Sequence, residues 1–230
     1  MNSNDLEFTI IDQLTLLALD DDKGSFVAES NAYAYALAGA LIMELALRGR
    51  IDLNAKKVLI KDRTKTNDNV IDRYFDIILK STKEKSLKSW IQQIGNKASK
   101  IKLDTVDKLI ENRILSKKEH KFLWVFTYNN YPMENPRPEN KLRKRLYDVV
   151  VNGHRPEIKD IMLLNLIQSC GLGVEVFGKA QAKTFKKKIE TINQYDHMAG
   201  AISKSVKEIC EEINAMLVII IASTVITTSS

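Results

Sequence analysis

Cysteine, proline, glycine and histidine are all scarce in this chain: two, four, nine and three residues among 230. The two cysteines, Cys170 and Cys210, sit in apolar helical contexts without CxxC or Cys/His spacing. That excludes a disulfide framework or a zinc knuckle, and it predicts buried free thiols in a reducing compartment. So few glycines and prolines argue against a turn-rich sandwich or barrel and favour helices joined by few tight turns. His120, His154 and His197 are each isolated, which leaves no zinc-type or triad-type set. No P-loop, GxGxxG or GxSxG occurs, and Gly171-Leu172-Gly173 follows a helix and reads as a helix-to-helix turn. The residues therefore point to no enzyme and no cofactor.

Long apolar runs are missing as well. The most hydrophobic stretch, Met216 to Ala222 extended by Val225 and Ile226, falls short of the roughly 20 residues a membrane span needs. The opening residues carry Asp5, Glu7 and Asp12, which do not read as a secretory signal. The chain is expected to lie on a bilayer rather than cross it.

What is present is a sizeable apolar content and an excess of positive charge. With 44% hydrophobic residues the chain can fill a substantial core. Lysine and arginine exceed aspartate and glutamate by 35 to 29, a formal charge of +6 that suits an anionic partner, either a phospholipid surface or a nucleic acid.

Periodicity predicts a mainly α, single-domain protein with short β-hairpins, divided as a polar segment 1–13, a helical domain 14–222 and a tail 223–230. Leu14, Leu16, Leu17 and Leu19 form an apolar segment that ends at the acidic turn Asp20 to Gly24, which lacks the ligand spacing of a calcium loop. Ser30 or Asn31 caps a helix to Arg48, and Gly49 stops it. Two strands around Lys56/Lys57 follow. Asp68 or Asn69 caps the next helix; shorter ones carry Trp90 and Ile94, then Val106 and Leu109. Phe122 to Thr127 reads as a strand, and Tyr131 to Pro138 as a loop. Four helices close the chain: Glu139 to Val151, Glu157 to Ser169, Glu175 to Ile192 and Ala201 to Ile221. The second of these is apolar almost all round and should be the central one.

One segment is more specific than these patterns. Leu41-Ile42-Met43-Glu44-Leu45-Ala46-Leu47-Arg48-Gly49-Arg50-Ile51 resembles the signature of the Golgi phosphoprotein 3 (GPP34) family, a helix ending in LALRGR before a hairpin. Leu14 to Leu19, Trp90-Ile91, Leu109-Ile110-Glu111, Lys144-Arg145-Leu146 and Met162 to Leu166 keep the family's order over about Leu14 to Ile221. The resemblance implies a helical domain that docks on membranes by recognising phosphatidylinositol 4-phosphate in a basic pocket. In eukaryotes it implies a cytoplasmic protein on Golgi membranes, linking glycosyltransferase cargo to the coatomer coat in vesicle trafficking; a homo-oligomer is a further partner it allows.

At the family's lipid-contact positions this sequence has Glu29 for a tryptophan, Ala38 for an arginine, and Ser99 and Lys102 for two more arginines. The chain thus resembles a distant member with an altered pocket. The lipid-binding candidates are Lys97, Lys100 and Lys102, then Arg143, Lys144 and Arg145, and the signature pair Arg48 and Arg50. Arg48 and Arg50 have two readings: partners for carboxylates such as Glu44, or cations facing a headgroup. A second lysine group, Lys179, Lys183, Lys186, Lys187 and Lys188, lines part of one helix. The alternative function is nucleic-acid binding by winged-helix-like units; an enzyme with a dispersed site is a third class.

Overall fold

The first helix among the described residues is set by a reciprocal cap. Thr9 Oγ1 accepts the Asp12 N–H, the Asp12 carboxylate accepts the Thr9 N–H, and α1 (Ile10–Leu17) follows. All eight of its residues are buried. A computed structural model of the chain describes residues 7–20, 22–27, 31–122, 126–194, 211–213 and 215–216. Glu29, Ser30, His197, Cys210, the 223–230 tail and most of the helix expected over Ala201 to Ile221 lie outside these.

α2 (Asn31–Leu47) is apolar on every face and is the hub of the fold. It packs against α1, α3 (Asn69–Leu79), α4 (Leu87–Gly95), α5 (Ala98–Glu111) and α7 (Ile158–Ser169). α7 is buried nearly throughout, as its composition predicts. It does not hold the centre alone, because its own neighbours are α1, α2 and α8 (Gly173–Gln194). α6 (Arg137–Val150) touches α1 and α8. Buried residues from nearly all of these helices form one apolar core. A smaller cluster gathers Leu16, Leu19, Val106, Leu109, Ile114, Leu115 and Tyr131.

Two antiparallel hairpins complete the described architecture. β1 (Ile51–Asn54) pairs with β2 (Lys57–Ile60), with Ile51 opposite Ile60. The turn is Ala55-Lys56, one residue earlier than expected, and both residues adopt positive φ, +48° and +65°. That is the two-residue turn whose twist matches the strands. β3 (Lys118–Phe122) pairs with β4 (Phe126–Asn130). The segment Phe122 to Thr127, expected as one strand, therefore spans the connection of a hairpin. Aromatic and β-branched residues mark strand character but not the reversal between two strands.

Two other boundaries shift for local reasons. α6 begins at Arg137 rather than Glu139, because Pro138 is tolerated in a first turn that needs no intrahelical donor there. α8 starts at Gly173 and is interrupted at Gly178, whose φ of +74° and ψ of +160° are not helical, so the run expected over Glu175 to Ile192 bends. No single helix among the described residues is long and apolar enough to cross a membrane, and the α7–α8 pair meets at 90°.

The signature segment ends α2 by a defined geometry. Gly49 N–H donates to Ala46 O and Arg50 N–H to Leu45 O, the paired bonds of a Schellman cap, with Gly49 at φ +67°. A Cβ built at Gly49 meets nothing within 4 Å, so the requirement for glycine is conformational rather than steric. Gly49→Ala is expected to cost about 1 kcal/mol, read as a lowered denaturation midpoint with unchanged slope.

Candidate lipid-binding site

Among the described residues, most of the expected lipid-binding cations are held by the protein's own carboxylates. Glu44, 1% exposed in the middle of apolar α2, accepts the Ile10 N–H through Oε2 and the Arg48 Nε–H through Oε1 at 2.8 Å. Arg48 also donates to Thr66 O. Arg50 donates to Asp62 Oδ2 at 2.7 Å and to Arg48 O, bracing the first residue past the cap. Both signature arginines thus fold inward around the start of the β1–β2 hairpin.

The contacts continue into a closed circuit. Thr66 Oγ1 accepts the Asp68 N–H, and Asp68 caps α3 through the Val70 and Ile71 N–H groups. Lys108 Nζ on α5 donates to both Asp68 Oδ2 and Asp12 Oδ2 at 2.6 Å. Asp12 returns to Thr9, beside the Ile10 N–H that Glu44 holds. Burial pushes the Asp12 carboxyl above its usual range, against the pull of Lys108. Burial works in the opposite sense on Lys108, but Asp12 and Asp68 outweigh it and hold the ammonium above its ordinary value.

The lysines of α5 do not act as one cluster. Lys100 pairs with Asp104 at 2.8 Å, which also takes Arg73 at 2.7 Å and the Tyr74 hydroxyl at 3.0 Å from α3. Lys97 is exposed at the N-cap of α5. Lys102 shares a helix face with Ser99 and Leu103 by three-to-four spacing, and its Nζ lies 4.3 Å from the Phe26 ring centroid, a cation–π contact. Arg143, Lys144 and Arg145 on α6 diverge as well. Arg143 pairs with buried Glu139, Lys144 with Asp148, and Arg145 with Asp160, each at 2.6–2.8 Å.

Lys102 opens onto a cavity of about 400 Å³ between the 25–26 segment, α5 and β4. Phe26, Leu103, Tyr128 and Tyr131 line it with the amides Asn129 and Asn130. Tyr128 and Leu103 are 53% and 43% exposed, so its mouth carries apolar and aromatic surface into solvent. His120 stacks on Tyr128 with centroids 5.0 Å apart. The inner wall is set by the Asp20 turn. Asp20 Oδ1 accepts the Asp22 and Lys23 N–H groups, and Gly24 at φ +65° lets its backbone meet that of Tyr131. There the Tyr131 N–H donates to Gly24 O at 2.7 Å, and an added Cβ would lie 2.3 Å from Pro132 N. Burial raises the Tyr131 phenol, which stays a neutral hydroxyl. Ala38 is fully buried in α2, where a small side chain fits the core.

The sequence offers Lys102 as one candidate among several lysines and does not single out the aromatic residues around it, Phe26, Tyr128 and Tyr131, which come from two distant segments. No group of three or more His, Cys, Asp or Glu among the described residues is placed to hold a metal ion. Cys170 is buried, and burial pushes its thiol up to about 12, so it is an unreactive core residue.

These features define a mainly helical protein with inward-braced arginines and a small cation-bearing cleft walled by aromatic residues. The family profile of Golgi phosphoprotein 3 (GPP34) matches residues 10–210, and the chain belongs to that family. It is 20% identical over 229 residues to "Vacuolar protein sorting-associated protein 74" of Schizosaccharomyces pombe (strain 972 / ATCC 24843). That match covers 88% of this chain and 66% of the relative's length.

Two substitutions test the circuit. Arg48→Ala strips a buried carboxylate of its cation and should lower stability by about 2 kcal/mol. Lys108→Met should cost about 3 kcal/mol near neutrality by leaving two carboxylates without their shared ammonium. Without Lys108 the folded-state value of Asp12 rises further above its unfolded 3.8. A raised carboxyl favours the fold when protonated, so the deficit of Lys108→Met should shrink as pH falls from about 7 to about 5. Urea unfolding at both pH values checks the sign; a deficit that grows on acidification would contradict it.

Proposed function

We propose that the protein is a peripheral membrane adaptor that docks on anionic phospholipid through the Lys102 cavity and serves a Golgi-type sorting or trafficking role. The observation that carries the reading is the cavity itself: a half-buried cation amid Phe26, Tyr128 and Tyr131, beside exposed Leu103. Membership of the Golgi phosphoprotein 3 family and the likeness to a vacuolar sorting protein support the role. The surplus of positive charge supports the surface.

Electrostatics and apolar contact act together in this reading. A phosphate headgroup is held by several charge-assisted donors, each contributing about 1.5–3 kcal/mol. Lys102 is one; Glu29 and Ala38 stand where the family resemblance places two other contacts. Phosphatidylinositol 4-phosphate is accordingly a ligand of reduced selectivity here, and diffuse attraction by exposed lysines such as Lys97 adds about 1 kcal/mol each near an anionic leaflet. Arg48 and Arg50 serve the fold in this account, and the function is that of an adaptor rather than an enzyme.

Liposome flotation tests the proposal, with neutral, phosphatidylserine-containing and phosphatidylinositol 4-phosphate-containing vesicles at low and high salt. Binding should require anionic lipid and weaken as salt screens the surface charge over ~10 Å at about 0.1 M. Lys102→Glu should reduce it about tenfold with unchanged melting. Equal flotation with neutral vesicles, or tight DNA binding in a gel shift with no flotation, would overturn the assignment.

A further inference from the structure

Beyond the bend at Gly178, α8 continues as helix over residues 179–194 and has two unlike faces. Phe185, Ile189 and Ile192 enter the main core. On a helix of 3.6 residues per turn, Lys179, Lys183, Lys186 and Lys187 fall on the opposite side, within an arc of about 100° and along about 12 Å of axis. All four are exposed.

These lysines differ from most of the cations described above in having nothing to hold. None of the four has a side-chain hydrogen bond or ion pair among the described residues. In the cavity of about 600 Å³ between α1, α6 and the start of α7, by contrast, Arg145 meets Asp160 and Lys159 meets Glu7, each at 2.8 Å. Glu190 is the one carboxylate that the same spacing brings onto the lysine arc, so the face keeps a clear positive surplus.

α8 contains no arginine, and its two aromatic residues, Phe177 and Phe185, are buried. The face therefore offers neither the planar fork that grips a fixed phosphate or carboxylate nor a ring on which a base stacks. It offers compact point charges on flexible stems, close enough to act together within a screening length of ~10 Å at about 0.1 M salt. A leaflet of anionic phospholipid suits such a face, because its headgroups move laterally to the charges and need no matching shape. We propose that the lysine face of α8 is a second membrane contact, which takes an anionic leaflet by charge alone without choosing among headgroups. The inference rests on the membrane reading above and adds to the Lys102 cavity a contact of different selectivity.

Flotation of the full chain on phosphatidylcholine vesicles with rising phosphatidylserine content tests it. Replacing Lys179, Lys183, Lys186 and Lys187 together by glutamine should lower the partition constant about a hundredfold or more, at about fivefold per lysine, with unchanged melting. The same four positions changed to arginine should bind at least as well as the unaltered protein. Lys102→Glu lowers the level of binding but should leave its rise with phosphatidylserine in place, so the two contacts are read separately. Undiminished flotation of the glutamine variant would overturn the inference and leave the Lys102 reading standing. So would flotation of the unaltered protein only on vesicles containing phosphatidylinositol 4-phosphate. Loss of binding in the arginine variant would mean that a shaped partner reads the lysines, and loss of a DNA gel shift with flotation retained would make the face a nucleic-acid surface; either overturns the leaflet as occupant. Should the glutamine variant unfold, the phosphatidylserine response of Lys102→Glu decides.

Discussion

A carboxylate placed in the middle of an apolar helix has to be neutralised and hydrogen-bonded, or the helix cannot be buried. Glu44 is that carboxylate, and the surrounding architecture follows from satisfying it. Its two oxygens hold the first N–H of α1 and the guanidinium of Arg48. Arg48 reaches Thr66, which fixes the approach to α3, and the circuit returns through Asp68, Lys108 and Asp12 to the start of α1. Three helices, α1, α3 and α5, are thereby held in register around α2 by polar contacts whose members are largely shielded from water. Apolar packing alone would tolerate sliding of such smooth, alanine- and leucine-rich faces; directional bonds at one end of α2 do not.

The same economy explains how charge is distributed. A surplus of six positive charges spread over unpaired side chains would say little about where a partner binds. The ion pairs remove many cations from consideration, because Arg48, Arg50, Lys100, Lys108 and Arg143 all contact carboxylates. What stands out is where cations meet apolar or aromatic surface: Lys102 over Phe26, and the α6 rim above Phe8 and Leu142. Mixed surfaces of this kind discriminate ligands better than a lysine face such as that of α8, since they ask for both a charge and an apolar body.

Much of the helical architecture was legible in the sequence because its signals are local. Asp68 as a cap, Gly49 as a stop and the apolar run of α7 each depend on neighbours within a turn or two, and each is found where the spacing places it. The pairing of Arg48 with Glu44 was legible for the same reason, four residues apart on one helix. Lys108 was not. Its partners, Asp12 and Asp68, lie 96 and 40 residues away, and no periodicity connects them. The β3–β4 hairpin was half seen, since strand propensity marks extended chain while the reversal is set by pairing between residues such as Lys118 and Asn130.

The cavities follow that rule in its strongest form. Lys97, Lys100 and Lys102 look like one basic cluster when read along the chain, yet helical geometry turns Lys102 away from Lys100, and Asp104 takes Lys100. Lys102 becomes distinctive only because Gly24 lets the preceding loop press against Tyr131 and so brings Phe26 above the lysine. A residue with ordinary neighbours in sequence acquires its chemistry from a backbone contact between Gly24 and Tyr131, which are more than 100 residues apart and neither of which adjoins it in the chain. Surface charge read from sequence counts the cations; the fold decides which of them meet water alone, which meet a carboxylate, and which meet an aromatic wall. On the proposed reading, it is the pairing of a cation with an aromatic wall, which attracts an anion and offers an apolar surface together, that points to the Lys102 cleft rather than to the longer lysine runs.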